Sequence, residues 1–130
     1  MPDPPHDRRL ATGTSPYEET YGFSRAVRVG NLVSVAGTAP VWPDGAVDPD
    51  PAVQARRCWS IVGQALVDVG SSLDDVVRTR MYITDPDIAD AIGAVHSEVF
   101  GHTRPAATMV VVAGLLDPRW YVEVEADAVA

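Results

Sequence analysis

The stretch RPAATMVVVAGLLDPRWYVEVEADAVA, Arg104 to Ala130, decides how this chain folds. It holds an apolar run from Thr108 to Ala113, a short connection carrying Gly114, Asp117 and Pro118, and a second run from Trp120 to Ala128. In the second run Tyr121, Glu123, Glu125 and Asp127 fall on one parity, and Val122, Val124, Ala126 and Ala128 on the other. Alternation at period two marks a strand with one apolar and one polar face. A row of carboxylates on one strand face repels itself unless it is solvated or at least one member enters a polar pocket. The chemistry of the chain, if it has any, is expected there.

The segments upstream alternate strands with helices. SRAVRV and LVSVAG, joined by Gly30-Asn31, predict a hairpin with Gly first in a type II′ turn. Four prolines in TAPVWPDGAVDPDP exclude a central strand and predict a loop. Asp50 is placed to cap a helix over Pro51–Val69, with Val53, Ile61, Val62, Ala65, Leu66 and Val69 as its apolar stripe and Gly70 as its stop. Ser72 to Asp75 predicts a turn. Val76 to Thr84 then alternates Val77, Thr79, Met81 and Ile83 against Val76, Arg78, Arg80 and Tyr82, the pattern of a strand. Asp85-Pro86-Asp87 opens a second helix that runs to Phe100, with Ile88, Ala91, Ile92, Val95 and Val99 inward and Gly101 at its end.

The order is β-β-α-β-α-β-β, an α+β fold: a mixed sheet with two helices on one face. Its other face must meet solvent or another subunit. Residues 1–14, rich in Pro, Asp and Arg, are expected to form a mobile arm, and 15–130 a single domain.

The charge of −8 and pI of about 4.6 lack the basic footprint of a nucleic-acid binder, so no nucleic-acid partner is expected. Cys58 is the single cysteine and reads as a small buried hydrophobe. The N-terminus has no apolar signal region, and no window reaches the roughly 18 apolar residues of a membrane span. No membrane association and a cytoplasmic location are therefore the expectations. His6, His96 and His102 have no zinc spacing, and no metal site is expected. His96 reads either as a hydrogen-bonded helix histidine or as a pocket residue. No glycine-rich phosphate loop or nucleophile elbow is present. Glu123 and Glu125 lie on one strand face; side-by-side burial would raise one pKa and create a proton-transfer group, while the plainer reading is an exposed acidic face.

GNLVSVAGTAP, the helix followed by VGSSLDDVVRTRMYITD, and RPAATMVVVAGL with YVEVEA resemble the Rid (YjgF-like) family of reactive-intermediate deaminases over about residues 15–128. The resemblance implies a chorismate-mutase-like fold and a homotrimer with an inner barrel and small-molecule pockets between subunits. It also implies cofactor-free hydrolysis of 2-imino or enamine acids to 2-oxo acids and ammonia. Some members carry an endoribonuclease label, which the acidic charge does not favour.

Carried onto this chain, the resemblance puts Tyr17, in Ser15-Pro16-Tyr17, at the pocket rim. Gly37 and Thr38 fall in the Ser-Gly-Gln segment, and Glu123 becomes the catalytic glutamate that positions water. The substrate-binding stretch falls at Ala107, Thr108 and Met109. The family's carboxylate-clamping arginine is Ala107 here, and its pocket asparagine falls at Gly93. An alanine cannot replace a bidentate guanidinium.

Three readings follow. In the first, the pocket binds or hydrolyses a small reactive metabolite other than ordinary 2-imino acids, with Glu123 handling water or a proton and Tyr17, Thr108 and His96 orienting the ligand. In the second, the chain is an ordinary imine deaminase with a cation relocated to Arg25, Arg104 or Arg119. In the third, it is a non-catalytic ligand-binding trimer.

Overall fold

The computed structural model describes residues 7–130, so His6 lies outside the described residues. Six strands form one mixed sheet in the order β1-β2-β3-β6-β4-β5. They are β1 (Arg8–Ala11), β2 (Ala26–Val29), β3 (Leu32–Thr38), β4 (Val76–Ile83), β5 (Ala106–Val111) and β6 (Val122–Val129). Three helices complete the fold: α1 (Tyr17–Tyr21), α2 (Pro51–Asp68) and α3 (Ala89–Phe100). The expected α+β order is present, with α2 and α3 packed over one sheet face.

Two elements were not anticipated. Within the segment read as a mobile arm, β1 pairs antiparallel with β2, Leu10 opposite Val27 and Ala11 opposite Ala26. Four residues with two arginines carry no visible alternation, yet Ala11 is buried and the Arg25 N–H donates to its carbonyl. The helix α1 is a single turn after Pro16, closed by Gly22 at φ 75°. It is too short to show a helical period.

Local chemistry explains the rest. Val29 pairs with Leu32 across Gly30-Asn31, and Gly30 takes φ 60°, which a two-residue hairpin needs at that place. The Asp50 carboxylate accepts the N–H groups of Ala52 and Val53 at 2.8 and 3.2 Å, and Pro51 occupies the first turn. Helix α2 is capped by Val69 and followed by a left-handed Gly70, and Arg28 Nη1 donates to the Val69 and Gly70 carbonyls at 3.0 Å. A 3-10 turn over Pro86–Ile88, capped by the Asp85 carboxylate, precedes α3, so that helix starts later than expected. Its predicted stripe holds at Ile92 and Val95, whereas Ala91 is exposed and Phe100 buried.

The alternation of β6 is real: Val122, Val124, Ala126 and Ala128 are all buried. The strand lies between β3 and β4, and β5 pairs parallel with β4 at the sheet edge, so the last two strands are not neighbours. In β4 the expected parity breaks at its start. Val76 is buried and Val77 exposed because the ladder to β6 shifts register between Val76 and Arg78; Thr79, Met81 and Ile83 then face inward as predicted. Trp59 anchors the core, edge-on to Phe100 at 4.9 Å and to His96 at 5.8 Å.

Candidate functional site

The sheet ladder carries a second irregularity, between Val35 and Thr38 where β3 pairs β6. Gly37 sits in it. A Cβ on Gly37 would overlap the Glu123 carboxylate, so the missing side chain is the space the glutamate fills. The Gly37 carbonyl, freed from the regular ladder, accepts a hydrogen bond from Arg25 Nη2 at 2.5 Å.

Arg25 is 7% exposed and lies within electrostatic reach of Glu18 and Glu123. Burial pulls its pKa down, and the two carboxylates push it back up. Glu18, also buried, accepts the Gly13 N–H on both oxygens at 2.9 and 3.1 Å. Burial lifts the Glu123 carboxyl above the ordinary carboxylate range; Arg25 opposes that and Glu125 adds to it. The pairing of Glu123 with a neighbouring carboxylate was legible in the sequence, whereas burial is the larger cause.

Arg25, Gly37 and Glu123 line a cavity of about 760 Å³. The segment Thr12–Tyr17 with Tyr21 and Phe23 forms one wall. Residues of α2 from Arg57 to Asp68 form another, and the loops around Trp42 and Trp120 complete the lining. Tyr17 and Tyr21 stack at 5.3 Å between ring centres. Arg25 Nε and Trp120 Nε1 are buried N–H donors with no partner among the described residues, both on residues that line the cavity. Such groups cost free energy unless something accepts from them.

Of the residues singled out in the sequence, Tyr17, Gly37 and Glu123 come together here. Thr38 is fully buried, donating to the Ala36 carbonyl at 2.8 Å, and does not line the cavity. Ala107, Thr108 and Met109 sit on the edge strand β5. Thr108 accepts from Arg78 Nη2 at 2.7 Å on the open sheet face, beside a network joining Arg80 to Glu125 and Asp127, and Tyr82 to Glu125. Ala107 pairs with Thr79, and Met109 reaches toward Gly93. Among the arginines weighed as substitutes, Arg104 is exposed in a left-handed turn, and Arg119 lines the cavity but is bound to Asp117 at 2.8 Å. Arg25 alone of the three is beside Glu123.

His96 points into the protein. Its Nε2 shares a hydrogen bond with Thr79 Oγ1 at 2.8 Å, its ring packs on Trp59 and Phe100, and burial lowers its pKa below 6.5. A depressed histidine contributes stability that is present above its ordinary pKa and lost as pH falls through the lowered one. His96→Ala strands the buried Thr79 hydroxyl and should cost about 1–3 kcal/mol in a thermal melt. The wild-type loss of stability on acidification through the histidine range should be smaller in the variant.

The family described as endoribonuclease L-PSP matches residues 13–130. This chain belongs to that family, the YjgF/Rid proteins. It is 38% identical to SCO2049 of Streptomyces coelicolor over 93% of this chain and 90% of that one. It is 30% identical to the 2-iminobutanoate/2-iminopropanoate deaminase of Escherichia coli, covering 83% and 85%. The crystal structure of Rv2704 from Mycobacterium tuberculosis superposes with a TM-score of 0.88 at 41% identity, covering 95% of this chain and all of that one. Escherichia coli TdcF with bound serine gives 0.79 at 28% identity, covering 94% of each. No helix of the described residues is long and apolar enough to cross a membrane.

Proposed function

We propose that this family member binds and hydrolyses a small imine or enamine in the cavity at Glu123, and that ordinary 2-imino acids are not its substrates. One observation carries the reading: a carboxyl group held above its usual pKa lies beside a buried guanidinium in a cavity of small-molecule size. Glu123 takes a proton from water as the oxygen attacks the imine carbon and the π electrons move to nitrogen. It delivers that proton to the nitrogen, giving a carbinolamine, and then carries the hydroxyl proton to the amino nitrogen as the C–N bond breaks and the C–O bond becomes a carbonyl, so that ammonia leaves.

The exclusion of 2-imino acids rests on charge. Ala107 offers no cation, and Arg25 already faces Glu18 and Glu123. A substrate carboxylate on the reacting carbon would add a third negative group around one guanidinium. The runner-up, a deaminase with its clamp relocated to Arg25, is favoured by the unpartnered Nε of that residue and by the deaminase name of the Escherichia coli relative.

As in the family, we place the working unit in a homotrimer with the ligand at a subunit seam. Two features support this: β5 is an edge strand with Val110 and Val111 exposed, and the β5 residues of the family motif lie away from the cavity that holds Tyr17 and Glu123.

The test is semicarbazide competition. An amine oxidase supplies imines with no carboxylate on the imine carbon, and an amino-acid oxidase supplies 2-imino acids. The protein is expected to speed carbonyl release in the first case. Saturable binding without turnover in both would leave a ligand-binding protein.

A further inference from the structure

Two of the three arginines that line the cavity are matched by carboxylates. Arg119 is held by Asp117, and Arg25 is balanced by Glu18 and Glu123. Arg57 has no carboxylate within ion-pair distance among the described residues. Its Nε donates to the Val41 carbonyl at 3.1 Å, and its guanidinium carbon lies 4.3 Å over the Trp42 ring. That leaves both Nη groups without an acceptor among the described residues, on a guanidinium stacked over an aromatic ring. Asp68 lines the same cavity, but it is exposed, takes a hydrogen bond from Gln64, and lies eleven residues further along α2, about 16 Å by helical rise.

Arg57 and Glu123 both line the cavity. The buried Cys58 thiol feels both, Arg57 lowering and Glu123 raising its pKa. The two lie on the same cavity and are contributed by different elements, α2 and β6. The lining they share includes the aromatic side chains of Tyr17, Tyr21, Phe23, Trp42 and Trp120, the last with an N–H that has no partner among the described residues.

We propose that Arg57, stacked on Trp42, is the anion-recognising residue of the cavity, and that the ligand is a flat, largely apolar molecule whose carboxylate lies remote from the carbon presented to Glu123. This rests on the reading of Glu123 above and names its substrate class. It also accounts for a family member without an arginine on β5: the carboxylate is bound at the far end of the ligand. Arg57 acts in binding and specificity, not in proton transfer.

The experiment is a fluorescence titration of the full chain with 3-phenylpropanoate and its neutral amide, 3-phenylpropanamide, using the partly exposed Trp42 as reporter. The acid is expected to bind about tenfold more tightly than the amide, the worth of one charge-assisted hydrogen bond. Arg57→Gln should remove that preference, and Arg57→Lys should restore part of it. Thermal melts of each variant establish that the fold is kept. Equal binding of acid and amide, a preference that survives in Arg57→Gln, or no binding of the acid at millimolar concentration overturns the proposal. The readout is binding alone, so it stands or falls separately from turnover: Glu123→Gln should keep the acid preference even where hydrolysis is lost.

Discussion

Glu123→Gln is expected to lower imine hydrolysis by about 10²–10⁴-fold, the usual contribution of a positioned general acid–base group. Glutamine preserves the shape that fills the space over Gly37 and can still meet Arg25, but it cannot take a proton from water or return one to nitrogen. The variant should melt cooperatively, because it removes a carboxyl whose charged form burial disfavours. Activity of the native protein should rise with pH through the elevated pKa of Glu123, above the ordinary carboxylate value of 4.5. That rise should vanish in the variant. Steady-state rates over a pH series measure both effects.

The second large effect is on stability. Arg25→Ala removes the cation that balances buried Glu18 and half-buried Glu123 and leaves the Gly37 carbonyl without its donor. Taking away one member of a buried charge cluster costs about 3–5 kcal/mol, and the lower end fits here because Glu123 is only half-buried. For a chain of this size that corresponds to a fall of about 10 °C in melting temperature. The pH dependence gives the mechanism away. A carboxyl whose folded pKa is raised contributes stability that is present below its unfolded pKa and lost as pH rises through the folded one. Without Arg25 the Glu123 pKa rises further, so the deficit of the variant should be largest at neutral pH and shrink on acidification toward the carboxylate range. Melts of both proteins across that range decide it. A deficit independent of pH would mean that Arg25 acts through packing alone.

What the sequence made legible follows from period and capping. Strand β6 announces itself because burial on one face and solvent on the other enforce period two, and the same parity singles out Glu123. Helix α2 is written in Asp50-Pro51 at one end and Gly70 at the other. The strand β1 and the single turn α1 are not legible, since four or five residues carry no period and their burial depends on what packs over them. In β4 the parity rule fails at Val76 and Val77, because a register shift belongs to the pair of strands and not to either sequence.

The site divides in the same way. Tyr17, Gly37 and Glu123 are marked by motif and parity, but the cations are not. Arg25 lies just outside a strand, and its place beside Glu123 depends on the irregularity at Gly37. Arg57 reads as one of a basic pair on a helix. Its contact with Trp42 spans a proline-rich loop, which has no periodic signal to project it. Thr38 and His96, marked in the sequence as pocket residues, bond instead inside the protein, the Thr38 hydroxyl to the Ala36 carbonyl and His96 Nε2 to Thr79.

The central claim is that the cavity hydrolyses imines that carry no carboxylate beside the C=N bond. Its most direct measurement is the rate of carbonyl release in competition with semicarbazide, taken with the two imine classes on the same preparation. The account predicts saturable acceleration, abolished by Glu123→Gln, for imines made by an amine oxidase, and the uncatalysed rate for 2-iminopropanoate and 2-iminobutanoate. Acceleration of the 2-imino acids that is lost in Arg25→Ala variants still folded at the assay temperature would contradict it and place the carboxylate clamp at Arg25.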